Sequence, residues 1–156
     1  MTTCTTSIAT KELEVRYGKT VAVTDVNLDI PAGSLLSVIG PNGAGKSALL
    51  KALAGAIEIH SGDIDIPGPP PSFVMQSTEV DPSLPISVKD VVSLSRYSNR
   101  GVFKRFRKED RDAVDEAIER LNLKDLAKRQ LHELSGGQRQ RVLVAQGLAQ
   151  DSNVLL

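Results

Sequence analysis

Gly40-Pro-Asn-Gly43-Ala-Gly45-Lys46-Ser47 constrains this chain more than any other stretch. It matches G-x-x-x-x-G-K-[ST], whose backbone N–H groups can wrap a chain of phosphates when it links a strand to a helix. Both flanks fit. Ser34 to Ile39 is a mostly apolar run that predicts a buried strand, and Ala48 to Ala54 is a strong helix-forming run that stops at Gly55. Gly40, Gly43 and Gly45 carry no Cβ, so the backbone can take positive φ and approach phosphates closely. Lys46 supplies a point charge for β- and γ-phosphates, and Ser47 a hydroxyl for a Mg²⁺ ion. A plain strand-to-helix turn has no use for Lys-Ser at that spacing.

Leu134-Ser135-Gly136-Gly137-Gln138 is a second glycine motif, at the start of another helical pattern. Ser135 can cap that helix, and its hydroxyl with the Gly136 and Gly137 N–H groups can face an anion arriving from outside. An ordinary helix cap is the alternative reading. By composition each motif arises by chance in about half a percent of chains this long, so the two together point to nucleotide chemistry.

With both motifs in place, the chain resembles the ATP-binding subunits of ABC transporters from about residue 10 to its end. The resemblance implies an α/β, P-loop NTPase-type core with N-terminal antiparallel β segments and an inserted helical subdomain. It implies one domain over 1–156, with a strand-rich ATP-binding core over about 10–76 and a helical subdomain over about 77–150. Residues 151–156 would begin a further strand. ATP would lie on Gly40, Pro41, Asn42, Gly43, Ala44, Gly45, Lys46 and Ser47. Tyr17 would stack on adenine, although a lone tyrosine is more often packing, so that role rests on the resemblance. Gln76, leaving the short apolar strand at Phe73 to Met75, would sense Mg²⁺ and the attacking water. Ser135, Gly136, Gly137 and Gln138 would contact the ATP of a partner subunit.

The implied partners are a second nucleotide-binding subunit (a homodimer), transmembrane permease subunits and an extracytoplasmic capture protein, with the chain peripheral on the inner face of the cell membrane. Residues Pro85 to Val92, the Arg96-Tyr97 pair and Phe103 to Arg105 resemble subunits serving zinc, manganese or iron-chelate import. A soluble ATPase of translation or DNA repair is the alternative. The compact gap from Lys46 to Ser135, without heptads, favours transport. The sequence reaches Leu156 before the Asp and catalytic Glu that the family places after this strand. The expectation is that the chain as given binds ATP and hydrolyses it poorly; an inactive remnant is the third reading.

Composition bounds the rest. The 156 residues suffice for one domain with a real core, and 40% hydrophobic with 24% charged residues is ordinary globular usage. A net charge of zero gives no global case for nucleic acid. Met1 to Ser7 lacks the basic start and apolar core of a secretory signal, and the single cysteine, Cys4, excludes an internal disulfide. His60 and His132 read as isolated loop histidines.

Local patterning predicts β segments over 11–16 and 21–30, a turn at Pro31 to Gly33, and short strands at Ser61 to Ile66 and Ser72 to Met75. Ser87 to Asp90 is a capping-box start for a helix. Ala113, Val114, Ala117, Ile118 and Leu121 stripe a helix near 108–122, with Glu116 and Arg120 paired on its flank. Gly137 to Gln150 predicts a last helix with Val142, Ala145, Leu148 and Ala149 inward. The basic stretch from Arg96 to Arg111, interleaved with Phe103 and Phe106, reads as a docking surface for a membrane subunit or as a solvated loop. Neutral overall charge counts against nucleic acid there.

Overall fold

A computed structural model describes residues 8–74, 81, 83–98 and 106–156. The chain divides into two compact units, one running to Phe73 and taking in Ser152–Val154 and Leu156, the other holding Val74–Asp151 and Leu155.

The first unit is built on a hairpin. β1 (Ile8–Tyr17) and β2 (Thr20–Ile30) pair antiparallel around a turn at Gly18, whose φ is +60°. α1 (Lys46–Leu53) follows, then β3 (Ser61–Asp65), which pairs antiparallel with β1 to give the order β2-β1-β3. The inward positions of β1 are Ile8 and Thr10, then Leu13 and Val15. Strict alternation would put Leu13 on the outer face. An extra residue between Thr10 and Leu13 corrects the phase, with Glu12 at φ 49° inside the irregularity. Asn27 Oδ1 accepts the Glu12 N–H at 2.8 Å. Thr10 Oγ1 donates to Val26 O at 2.9 Å and accepts from Leu28 N at 3.0 Å. Two side chains thus satisfy backbone groups that the interrupted ladder leaves over. Leu13 and Val15, both fully buried, pack with Ala48, Leu49, Ala52 and Leu53 of α1. Leu13→Ala is expected to cost about 2–5 kcal/mol in urea unfolding; a loss within error would show that this layer is not the core of the unit.

The buried strand expected over 34–39 is not found. These residues join no ladder, and Leu35 and Ile39 are 98% and 91% exposed. An apolar run becomes a buried strand only where neighbours take its N–H and C=O groups and cover its faces. Among the described residues no strand pairs with it. Of the short strand expected at Ser72 to Met75, the described residues Ser72 to Val74 make one bridge, Ser72 donating to Val154 O and accepting from Leu156 N, both at 2.8 Å, while Met75 lies outside the described residues.

The second unit is helical. α2 (Val88–Ser98), α3 (Lys108–Arg120) and α4 (Gly136–Ala149) surround one core, with two short 3₁₀ turns at Lys124–Leu126 and Leu131–Glu133. Val88, Val91 and Val92 of α2 meet Val114, Ala117 and Ile118 of α3 and Val142, Ala145 and Ala149 of α4. The predicted capping box forms: Ser87 N donates to Asp90 Oδ2 at 3.1 Å, and Asp90 N to Ser87 Oγ at 3.2 Å. Glu116 and Arg120 pair at 2.8 Å. Leu148, expected inward on α4, is 40% exposed, because the buried stripe runs through Val142, Ala145 and Ala149 instead.

The basic stretch is not a uniform surface. Arg96 turns inward, giving Nε and Nη2 to Asp110 Oδ1 at 3.0 Å and Nη1 to Ala149 O at 3.0 Å. Asp110, 1% exposed, accepts the Arg107 N–H at 2.9 Å with its other oxygen. The Tyr97 and Phe106 rings lie 5.4 Å apart. Arg100, Phe103, Lys104 and Arg105 lie outside the described residues.

Candidate nucleotide-binding site

The loop from Gly40 to Gly45 is shaped by two of its three glycines. Gly43 and Gly45 take φ of 83° and 82°, whereas Gly40 does not use positive φ, contrary to the expectation for it. Gly45 is also held sterically: a Cβ there would come 2.2 Å from Ala22 O and 2.8 Å from Val23 Cγ2. The loop therefore rests directly on the backbone of β2. That contact is invisible in the motif, since nothing in the residue types of Ala22 and Val23 signals it.

α1 starts at Lys46, and the first N–H bonded within its ladder is that of Leu49, to Gly45 O at 2.9 Å. The N–H groups of Lys46, Ser47 and Ala48 have no acceptor one turn back, and no acidic side chain occupies this first turn. The positive end of the helix thus opens on the loop. Lys46 Nζ lies along the loop, donating to Gly40 O at 2.8 Å and Pro41 O at 2.7 Å. An ammonium has three N–H donors, so one remains for a further acceptor. The Ser47 side chain is exposed in the same turn.

Tyr17 ends β1, half exposed at 51%, and pairs with Thr20. Val15 pairs with Val23, against which Gly45 packs. The tyrosine therefore sits at the end of the hairpin that supports the loop. Gln76 lies outside the described residues.

In the second unit, Ser135 caps α4. Its Oγ accepts the Gln138 N–H at 3.3 Å, and Gln138 Oε1 accepts the Ser135 N–H at 2.9 Å, a reciprocal capping box. Arg139 Nε donates to Leu134 O at 2.9 Å, and Leu134 is buried. Sequence reading missed that brace, since an arginine after a glycine motif has no fixed partner. Gly136 and Gly137 need no positive φ, and a Cβ at either would meet nothing within 4 Å. Local sterics do not require glycine there, although each glycine in a helix costs about 1 kcal/mol relative to alanine.

A glycine loop that rests on a β-sheet and opens at once into a helix N-terminus, within an α/β fold, defines a P-loop nucleoside triphosphatase core. Residues 23–156 match the family described as ABC transporter, and the chain belongs to it. It is 40% identical over 147 residues to the manganese transport system ATP-binding protein MntB of Bacillus subtilis, covering 90% of this chain and 59% of that protein. It is 37% identical over 155 residues to the zinc transport system ATP-binding protein TroB of Treponema pallidum, covering 95% and 58%. Among solved structures it is similar to cbiO1 from Clostridium perfringens, part of the ABC transporter complex cbiONQ. That match has a TM-score of 0.76 at 28% identity and covers 95% of this chain and 63% of that one. The chain thus spans about 60% of the length of the curated relatives it matches (59% for MntB). No described helix is long and apolar enough to cross a membrane.

Proposed function

We propose that this chain is the ATP-binding part of a metal-ion importer, in which ATP binding and hydrolysis drive transport. The observation that carries the reading is the loop itself: Gly43 and Gly45 at positive φ, backed by β2, with the first N–H groups of α1 lacking helical acceptors directly after it and Lys46 Nζ lying along it. Phosphates entering there meet backbone donors, the helix dipole and the remaining Lys46 N–H. Tyr17 stacks on adenine. The Ser47 hydroxyl, exposed and without a hydrogen bond among the described residues, suits a hard cation such as Mg²⁺, with Gln76 as the second protein group. When bound, that ion neutralises charge that develops on the transferred phosphoryl group.

Ser135, Gly136, Gly137 and Gln138 belong, in this reading, to the ATP of a second copy, which the two subunits enclose between them. Permease subunits and a capture protein complete the transporter, and the chain lies on the inner face of the membrane. The names of MntB and TroB favour manganese or zinc as cargo.

Lys46→Ala is expected to weaken ATP binding at least about tenfold, since a charged hydrogen bond contributes about 1.5–3 kcal/mol. Titration with a fluorescent ATP analogue measures it. Unchanged affinity would remove the phosphate role of the loop.

A further inference from the structure

Of the five asparagines in the sequence, Asn42 alone is followed by glycine. The side-chain carbon of an asparagine can be attacked by the backbone nitrogen of the next residue, and glycine, without a Cβ, hinders that approach least. The structure leaves both reacting groups free at this position. Asn42 is exposed, and its carboxamide makes no hydrogen bond among the described residues. The Gly43 N–H has no acceptor among the described residues, and a Cβ built there would meet nothing within 4 Å. Ala44 N closes the turn beneath them onto Pro41 O at 3.3 Å, so Asn42 and Gly43 form its tip.

The other described asparagines differ in just this respect. After Asn27, the Leu28 N–H is held by Thr10 Oγ1 at 3.0 Å. After Asn122, the Leu123 N–H donates to Ile118 O at 2.9 Å, and after Asn153, the Val154 N–H donates to Ser152 Oγ at 3.2 Å. Asn27 is also clamped through its side chain, with Nδ2 on Asp25 Oδ1 at 2.9 Å and Oδ1 on the Glu12 N–H at 2.8 Å. Near Asn42, by contrast, Lys46 Nζ lies 2.7 Å from Pro41 O. That puts a positive charge beside the amide that must lose its proton, which favours the loss.

We propose that Asn42 is a site of spontaneous deamidation that switches the loop off, and that bound nucleotide protects it. The Gly43 nitrogen loses its proton and bonds to Asn42 Cγ. The bond from Cγ to the side-chain nitrogen breaks, and ammonia leaves with that proton. Water then opens the cyclic imide at either carbonyl, giving aspartate or isoaspartate. One water enters and one ammonia leaves, with no oxidation or reduction. Either product sets a carboxylate where the reading above places phosphates, and it can take the Lys46 donor for itself. Isoaspartate also adds a methylene to the backbone of the turn. The effect on nucleotide binding rests on the proposed function of the loop; the modification itself does not.

The test incubates the full chain with and without MgATP and follows every asparagine by peptide mass spectrometry, with chromatography separating aspartate from isoaspartate. The same samples are titrated with a fluorescent ATP analogue. Without nucleotide, Asn42 is expected to convert at least about tenfold faster than any of the other four asparagines, with a rate that rises with pH. Saturating MgATP should slow this at least about fivefold, because a phosphate oxygen then takes the Gly43 N–H. Converted chain should bind the analogue at least about tenfold more weakly, as should Asn42→Asp. Asn42→Gln, which would have to form a larger ring, should keep its starting affinity, whatever that is, throughout the incubation. Conversion at Asn42 no faster than elsewhere overturns the proposal. So does converted chain of undiminished affinity, or conversion that saturating MgATP does not slow. Fresh wild-type chain that fails to bind the analogue overturns the reading of the loop instead, and shows this before any incubation.

Discussion

Asp110→Ala is expected to lower the stability of the protein by about 3–5 kcal/mol, measured by urea unfolding. The carboxylate is 1% exposed and joins three elements: Arg96 on α2, the Arg107 N–H at the start of α3, and, through Arg96 Nη1, the Ala149 carbonyl at the end of α4. Removing it leaves a guanidinium with side-chain exposure of 11% that, among the described residues, holds one carbonyl, and it takes the acceptor from the Arg107 N–H at the start of α3. The cost arises chiefly from that uncompensated charge, not from the attraction lost. The double replacement Arg96→Met with Asp110→Leu should therefore lose much less than Asp110→Ala alone. If the double variant is the less stable of the two, the ion pair itself is what holds the three helices together.

Gly45→Ala is expected to abolish ATP binding at concentrations that saturate the wild-type chain. The added methyl would sit 2.2 Å from Ala22 O, an atom of the β2 backbone that cannot rotate away as a flexible side chain could. The φ of 82° adds about 1–2 kcal/mol of left-handed strain for any L-residue. Gly43→Ala separates the two effects. Its φ is 83°, but nothing lies within 4 Å of the added methyl, so it should suffer the strain alone and lose about tenfold in affinity. The same nucleotide titration decides: equal losses in the two variants would mean that β2 yields to the loop.

Elements whose signal is local were legible before any coordinates. The Ser87–Asp90 box, the Glu116–Arg120 pair and the stripe on α3 depend on residues three or four apart, and all three form. The strands of the hairpin were legible too, but the phase of β1 was not. Leu13 and Val15 face inward only because an extra residue near Glu12 shifts the alternation, and Asn27 and Thr10 satisfy the freed backbone groups. Those partners are 15 to 18 residues apart along the chain, so no pattern within one strand reveals them. The run over 34–39 failed in the opposite direction. Its apolar character is plain, yet burial of a strand belongs to its neighbours, and here Leu35 and Ile39 remain exposed.

The nucleotide site divides along the same line. Sequence alone located the glycine loop proposed to hold phosphate, the helix that follows it and the second glycine motif at Leu134 to Gln138, and it determined membership of the ABC transporter family, because these signals lie in local residue spacing. Tertiary structure alone decided that Gly45 is pressed against Ala22 and Val23, and that Arg96 is an internal staple and not part of a basic surface. It also decided that Gln138 turns back onto Ser135. Each of these depends on which acceptor a side chain or backbone atom meets in three dimensions. Hydrogen bonds and steric contacts act over about 3 Å, a distance that chain separation does not encode.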